Sequence, residues 1–174
     1  MNKVSPVLYG LKKSLLYAAV SIIMTLIYFI IGIDTQPMLT GIINIVVTVL
    51  LLVYIIKSFR KELGGYMKLG QGMCMITVMG LASTIIMYLY NLVYVNYIDT
   101  NFVEKSLMQT QKMMASMGGA NDEVMDAVRT QLEAQMSFSF SNLCLALLGA
   151  VIMYVIAGLI LGAVFRKSDP ESID

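Results

Sequence analysis

Residues 59–72 read FRKELGGYMKLGQG, with Arg60, Lys61 and Lys68 and four glycines set between two long apolar runs. Glycine-rich basic turns cradle phosphates, and they also form the corners of membrane hairpins. A Walker-type loop requires Gly-x-x-x-x-Gly-Lys-Ser/Thr, and here no glycine is followed by lysine. The dinucleotide pattern Gly-x-Gly-x-x-Gly starts at Gly70 and Gly72 but meets Met75 where its third glycine belongs. The stretch therefore reads as a corner. A helix ends at Glu62 or Leu63, Gly64 and Gly65 supply the positive-φ stop, and Tyr66 and Lys68 sit at headgroup level. Gly70 and Gly72 are expected to let the returning backbone pack closely.

Outward from this corner the chain is apolar. Hydrophobic residues make up 58% of it, charged residues 13%, and the mean hydropathy is +0.78, a balance of bilayer proteins rather than soluble ones. Four stretches lack any charged side chain: Ser14–Ile33, Thr35–Ile56, Leu69–Ile98 and Ala134–Phe165. Each reaches the roughly 20 residues a helix needs to cross about 30 Å of hydrocarbon. The expected architecture is an all-α membrane protein forming one domain over residues 1–174. It has four transmembrane helices at 14–33, 37–56, 69–98 and 137–165, joined as a four-helix bundle, and an outer helical segment at 99–136.

The basic residues orient it, since Lys and Arg stay on the cytoplasmic side. Lys3, Lys12, Lys13, Lys57, Arg60, Lys61, Lys68, Arg166 and Lys167 all fall on one side, nine of the twelve in the chain. The other side holds Asp34 in a tight turn and the segment from Asp99 to Glu133, which is richer in acids than in bases. Both termini are expected in the cytoplasm of a bacterium, with the outer segment periplasmic. The first span is too long for a signal-peptide core, and "IIGIDTQP" lacks a small-residue cleavage site. Pro37 suits the first turn of the second helix. Aromatic residues mark both interfaces: Tyr28, Phe29, Tyr94, Tyr97, Phe102, Phe138 and Phe140 outside, and Tyr54, Phe59, Tyr66 and Phe165 inside.

"ELGGYMKLGQGM" (62–73), a long span, "YVNYIDTNFVEKSL" (94–107) and the Met- and Gln-rich stretch that follows resemble the bacterial membrane family catalogued as domain of unknown function 4199. The resemblance implies a four-span inner-membrane protein and carries no assigned activity. The order SIIM (21–24), IDT (33–35), FRK (59–61) also recurs as STIIM (83–87), IDT (98–100), FRK (165–167). That order raises the idea of two parallel hairpins.

Small and polar residues at helical spacing nominate the inward faces. They are Ser14, Ala18, Ser21, Thr25, Tyr28 and Gly32 in the first span, and Gly41, Asn44 and Thr48 in the second. The third offers Thr77, Gly80, Thr84, Tyr88 and Asn91, and the fourth Asn142, Ala146, Gly149, Met153 and Ala157. Close approach and interhelical hydrogen bonds from these residues are expected to hold the bundle. Gly158 and Gly162 form a Gly-x-x-x-Gly on another face of the fourth helix, open to a homodimer or to packing within the chain. As a solute path the stripes would use Asn44, Asn91, Tyr88 and Tyr154. No ionisable side chain lies within a span, which disfavours proton-coupled transport.

In the outer segment, Asn101 with Glu104 caps one helix, which Gly118 and Gly119 break. Asn121 then caps a second, whose stripe is Val124, Val128 and Leu132 with Met125 and Met136. The pair forms a hairpin, continuous with spans three and four or separate from them. Met108, Met113, Met114 and Met117 would be the ligands of a soft-metal site, although methionine is also an ordinary packing residue. Cys74 and Cys144 fall near opposite ends of their spans, too far apart for a disulfide. With no histidine in the chain and no catalytic constellation, the sequence predicts no enzyme, no cofactor, no resident metal and no nucleic-acid partner. The leading expectation is a structural or interaction component that acts through helix packing and its outer hairpin, contacting the lipid bilayer and a membrane or envelope protein. A transporter or pore subunit for a neutral solute or soft metal is the alternative.

Overall fold

The computed structural model describes residues 4–33, 36–116 and 122–167. Six α-helices follow one another: α1 (Pro6–Ile31), α2 (Pro37–Glu62), α3 (Leu69–Val93), α4 (Phe102–Ser116), α5 (Asp122–Gln135) and α6 (Phe140–Phe165). One turn of π-helix, Tyr94–Ile98, prolongs α3. α1, α2, α3 with its π turn, and α6 are each long and apolar enough to cross a membrane. Their 26 or so residues make helices of about 39 Å. Among the described residues there is no strand, only an isolated bridge between Met67 and Lys167. The calls at Asp34, Met117, Gly118, Gly119 and Asn121 lie outside the described residues.

Local chemistry sets the helix ends. Pro6 and Pro37 occupy first turns, where the missing N–H costs nothing. Gly32 ends α1 at φ 75°, its N–H donating to the Phe29 and Tyr28 carbonyls. α2 stops at Glu62, and Gly64 and Gly65 turn the chain at φ 82° and 93°, a left-handed conformation that only glycine adopts without strain. The Lys68 N–H donates to the Gln71 side chain at 2.9 Å and opens α3. Ser139 caps α6, its hydroxyl accepting from the Asn142 N–H. α1 begins eight residues before the charge-free run that nominated it, so Lys12 and Lys13 are helical.

α3 is the central helix. α1 packs parallel to it along one side and α6 antiparallel along the other, and small residues set both crossings. A β-carbon on Gly10 would lie 2.7 Å from the Met75 carbonyl. One on Gly158 would meet Met73 Cα at 3.0 Å, and one on Gly162 would meet the Leu69 carbonyl at 3.1 Å. On Gly80 it would fall inside the Tyr154 ring. The Gly158–Gly162 face is thus occupied by α3 of the same chain, which leaves it no room for a second copy.

α2 joins this layer mainly through the half next to the α2–α3 corner. There Leu52, Ile55, Ile56 and Phe59 are buried with Tyr9, Tyr17, Met67, Met75, Ile76 and Met79. Its other half, from Met38 to Leu50, keeps most large apolar side chains exposed. The four nominated stripes therefore do not meet as one seam. On α2 the buried face is Leu52 to Phe59, one turn and more beyond Gly41, Asn44 and Thr48. On α6 it is Tyr154, Ala157, Gly158, Leu161 and Gly162, whereas Gly149 and Met153 are exposed. In lipid both faces of a helix are apolar, so small residues mark close approach only where a neighbour arrives.

Tyrosines make most of the bonds between elements. Tyr9 donates to Ser58 Oγ at 3.0 Å, Tyr28 to Asn44 Oδ1 at 3.1 Å, Tyr154 to the Tyr17 hydroxyl at 3.3 Å and Tyr88 to the Ser139 carbonyl at 2.9 Å. Ser83 adds a bond to the Ser14 carbonyl at 3.2 Å. The hydroxyls of Ser21, Thr25 and Thr84 instead donate to carbonyls four residues back in their own helices. A short hydroxyl finds its own helix first, whereas a phenol reaches across. α3 and α6 pack along their length while α1 and α2 are bridged chiefly by Tyr9 and Tyr28, so the two hairpins are not packed alike.

Three of the eleven aromatic residues assigned to the interfaces belong to the interior. Phe59 is fully buried, and Tyr28 and Tyr94 nearly so, whereas Tyr54, Tyr97, Phe138 and Phe140 are exposed. Cys74 and Cys144 are both free thiols.

Candidate functional site

At the corner end, the Met67 N–H donates to the Lys167 carbonyl at 3.0 Å and the Lys167 N–H returns a bond at 3.1 Å. Lys167 Nζ lies 5.6 Å from the Tyr66 ring centre, and Lys57 Nζ lies 5.8 Å from that of Phe165. Gly72 admits this knot, since a β-carbon there would crowd Met67 and Gly162. Gly70 has open space around it and plays no such part. Glu62 ends α2 exposed. The motif from Glu62 to Gly72 is thus a structural clasp between the corner and the segment after α6.

The opposite end carries the hairpin of α4 and α5, which pack on each other. Its base is tied down in three places. Asn96 Nδ2 donates to the Met136 carbonyl at 2.7 Å, Asn142 Nδ2 to the Ala134 carbonyl at 3.4 Å, and Lys105 pairs with Asp99 at 3.1 Å. Both helices are separate from their neighbours, broken from α3 at Asp99–Asn101 and from α6 at Met136–Ser139. Met108 and Met113 are exposed and Met114 is half-buried, so these thioethers are spread around α4. Among the described residues no group of three or more His, Cys, Asp or Glu side chains is placed to hold a metal.

Beneath the hairpin lies a cavity of about 280 Å³. Thr25 and Tyr28 come to it from α1, Thr40 and Asn44 from α2, and Asn91 and Tyr94 from α3. Asp99 follows the π turn, and Phe102, Lys105, Ser106 and Gln109 descend from α4. The space exists because the first half of α2 stands off from α1 and α3. The π turn closes with the Asp99 N–H donating to the Tyr94 carbonyl at 2.9 Å, and it delivers the Asp99 carboxylate to the cavity, 4% exposed. π turns of this kind gather at functional sites. Lys105 neutralises the carboxylate and lies 5.0 Å from the Phe29 ring centre, which in turn stacks edge-on to Tyr94. Asn91 sits two turns below Asp99, about 12 Å deeper, and among the described residues its carboxamide makes no hydrogen bond.

Of the residues nominated from sequence, Thr25, Tyr28, Asn44 and Asn91 meet in this cavity. Ser21, Thr84 and Tyr88 are engaged elsewhere, and Asn142 braces the end of α5. Thr48 is half-buried on α2. Asp99 entered the sequence reading only as the start of the acid-rich outer segment, and Lys105, Ser106 and Gln109 were not singled out. Their signal was the polar residues crowding the same end of three spans, beside a charged pair six residues apart.

The fold and the cavity define an all-helical multi-pass membrane protein that places a polar pocket beneath a projecting helical hairpin. The chain belongs to the family described as Protein of unknown function (DUF4199), whose model matches residues 12–167. No curated protein and no solved structure matches it.

Proposed function

We propose that this chain is a non-catalytic membrane component that presents the α4–α5 hairpin to another membrane or envelope protein. The observation that carries this reading is the hairpin itself. Its helices pack on each other, its base is braced to the spans through Asn96, Asn142 and the Lys105–Asp99 pair, and it exposes Met108, Met113 and Val124. Apolar side chains held out on a braced support favour a partner surface. The proposed setting is the bacterial inner membrane, with both termini cytoplasmic and the hairpin periplasmic. The clustering of Lys57, Arg60, Lys61, Lys68 and Lys167 around the clasp supports that orientation.

The transporter alternative is weaker because its four candidate residues do not line one route. Asn44 and Asn91 face the cavity, but Tyr88 is bonded to Ser139 and Tyr154 to Tyr17. The test is a photoreactive amino acid at Met108 in native membranes, with captured proteins identified by mass spectrometry. Reproducible capture of one heterologous membrane or envelope protein is expected; self-crosslinks alone, or none, would overturn the reading.

A further inference from the structure

The hairpin-end cavity contains a cation site that the chain fills with its own side chain. Lys105 Nζ stands 3.1 Å from Asp99 Oδ1, 3.2 Å from Oδ2 and 5.0 Å from the Phe29 ring centre. A carboxylate combined with an aromatic face is the set that recognises an ammonium ion. The two partners differ in how firmly they are held. Asp99 is almost fully buried at the end of the π turn, its N–H bonded to Tyr94 and its carbonyl accepting from the Phe102 N–H. Lys105 has a flexible four-carbon stem and a side chain one-third exposed. The carboxylate is fixed by burial and backbone bonds, whereas the ammonium sits on a flexible, partly exposed stem.

The space also extends beyond what Lys105 occupies. It runs down to Asn91, whose carboxamide donors and acceptor are unmatched among the described residues, and across to Asn44, whose oxygen accepts from Tyr28. Unmatched amide groups at membrane depth are costly, and a polar occupant relieves that cost. The cavity is lined from the ends of α1 and α3 and the start of α2, which places it toward one headgroup region for spans of this length.

We propose that this cavity binds an ethanolamine-type primary ammonium, whose nitrogen displaces Lys105 from Asp99 and Phe29 while its polar remainder reaches Asn44 and Asn91. Two sources share that chemistry: the headgroup of an ethanolamine phospholipid in the surrounding bilayer, and free ethanolamine phosphate.

The test uses the full chain in nanodiscs. In one arm the discs contain phosphatidylglycerol doped with phosphatidylethanolamine, and the lipid retained through gentle extraction is counted by native mass spectrometry. In the other, discs of phosphatidylglycerol alone are titrated with ethanolamine phosphate by calorimetry. Binding is expected in at least one arm, and the arm that responds names the source. Asp99→Asn should weaken it by about tenfold or more, the worth of one charge-assisted hydrogen bond. Lys105→Met should strengthen it by removing the internal competitor, an effect opposite in sign to that of a merely structural ion pair. Asn91→Ala should weaken it with the helical circular dichroism of the parent retained, and it serves if Asp99→Asn does not fold. Binding of neither probe, an unchanged Asp99→Asn, or a weaker Lys105→Met would overturn the proposal.

Discussion

Gly80 and Gly10 hold the three-helix layer together by what they lack. Tyr154 lies where a Gly80 side chain would stand, and that position lets its hydroxyl reach Tyr17. Gly80→Ala should therefore destabilise the folded chain by about 1–3 kcal/mol, the usual cost of overpacking. Gly10→Ala should cost a similar amount, because its β-carbon would press on the α3 backbone rather than on a movable side chain. Gly149→Ala, with open space around it, should be neutral or stabilising by up to about 1 kcal/mol through helix propensity. Reversible unfolding in mixed micelles would rank the three. Gly80 was visible in the sequence within a polar stripe. Gly10 was not, because Lys12 and Lys13 separate it from the charge-free run and hide that the helix starts at Pro6.

At the scale of elements, Tyr88 pins the start of α6 to α3. Its hydroxyl donates to the Ser139 carbonyl and accepts from the Ser139 N–H at 3.1 Å. Tyr88→Phe removes both bonds and should cost about 1 kcal/mol, with hydrogen exchange at the Ser139 amide accelerating while the α3–α6 crossing at Gly158 stays protected. At the corner, Gly64→Ala places a β-carbon in the left-handed region and should cost about 1–2 kcal/mol, measurable in the same unfolding assay. The corner was legible because glycine and charge punctuate it. The π turn was not, since Tyr94–Ile98 carries no proline, glycine or charge to distinguish it from continuing α-helix. The hairpin helices were legible by their periodicity, but their breaks from α3 and α6 are accompanied by bonds that periodicity does not announce, from Asn96 to Met136, forty residues away, and from Asn142 back to Ala134.

At the scale of the whole molecule, the proposed orientation makes a direct prediction. In a chain with Cys74 and Cys144 replaced by Ala, Met108→Cys should react with a membrane-impermeant maleimide added to intact spheroplasts. Lys167→Cys should react only after lysis. The opposite pattern would invert the topology and with it the periplasmic reading of the hairpin.

By itself the sequence determined that this is a membrane protein with four spans, a basic glycine corner and a polar helical hairpin. Those properties depend on exclusion of charge from hydrocarbon and on backbone permissiveness, which act residue by residue. Only the tertiary structure decided which faces meet, that α3 is central, that the first half of α2 stands off, and that Asp99, Lys105, Asn44 and Asn91 share one cavity. The physical reason is the solvent. In water an amphipathic stripe announces the buried face, whereas in lipid the buried and exposed faces are equally apolar, and shape together with interhelical hydrogen bonds selects the partner.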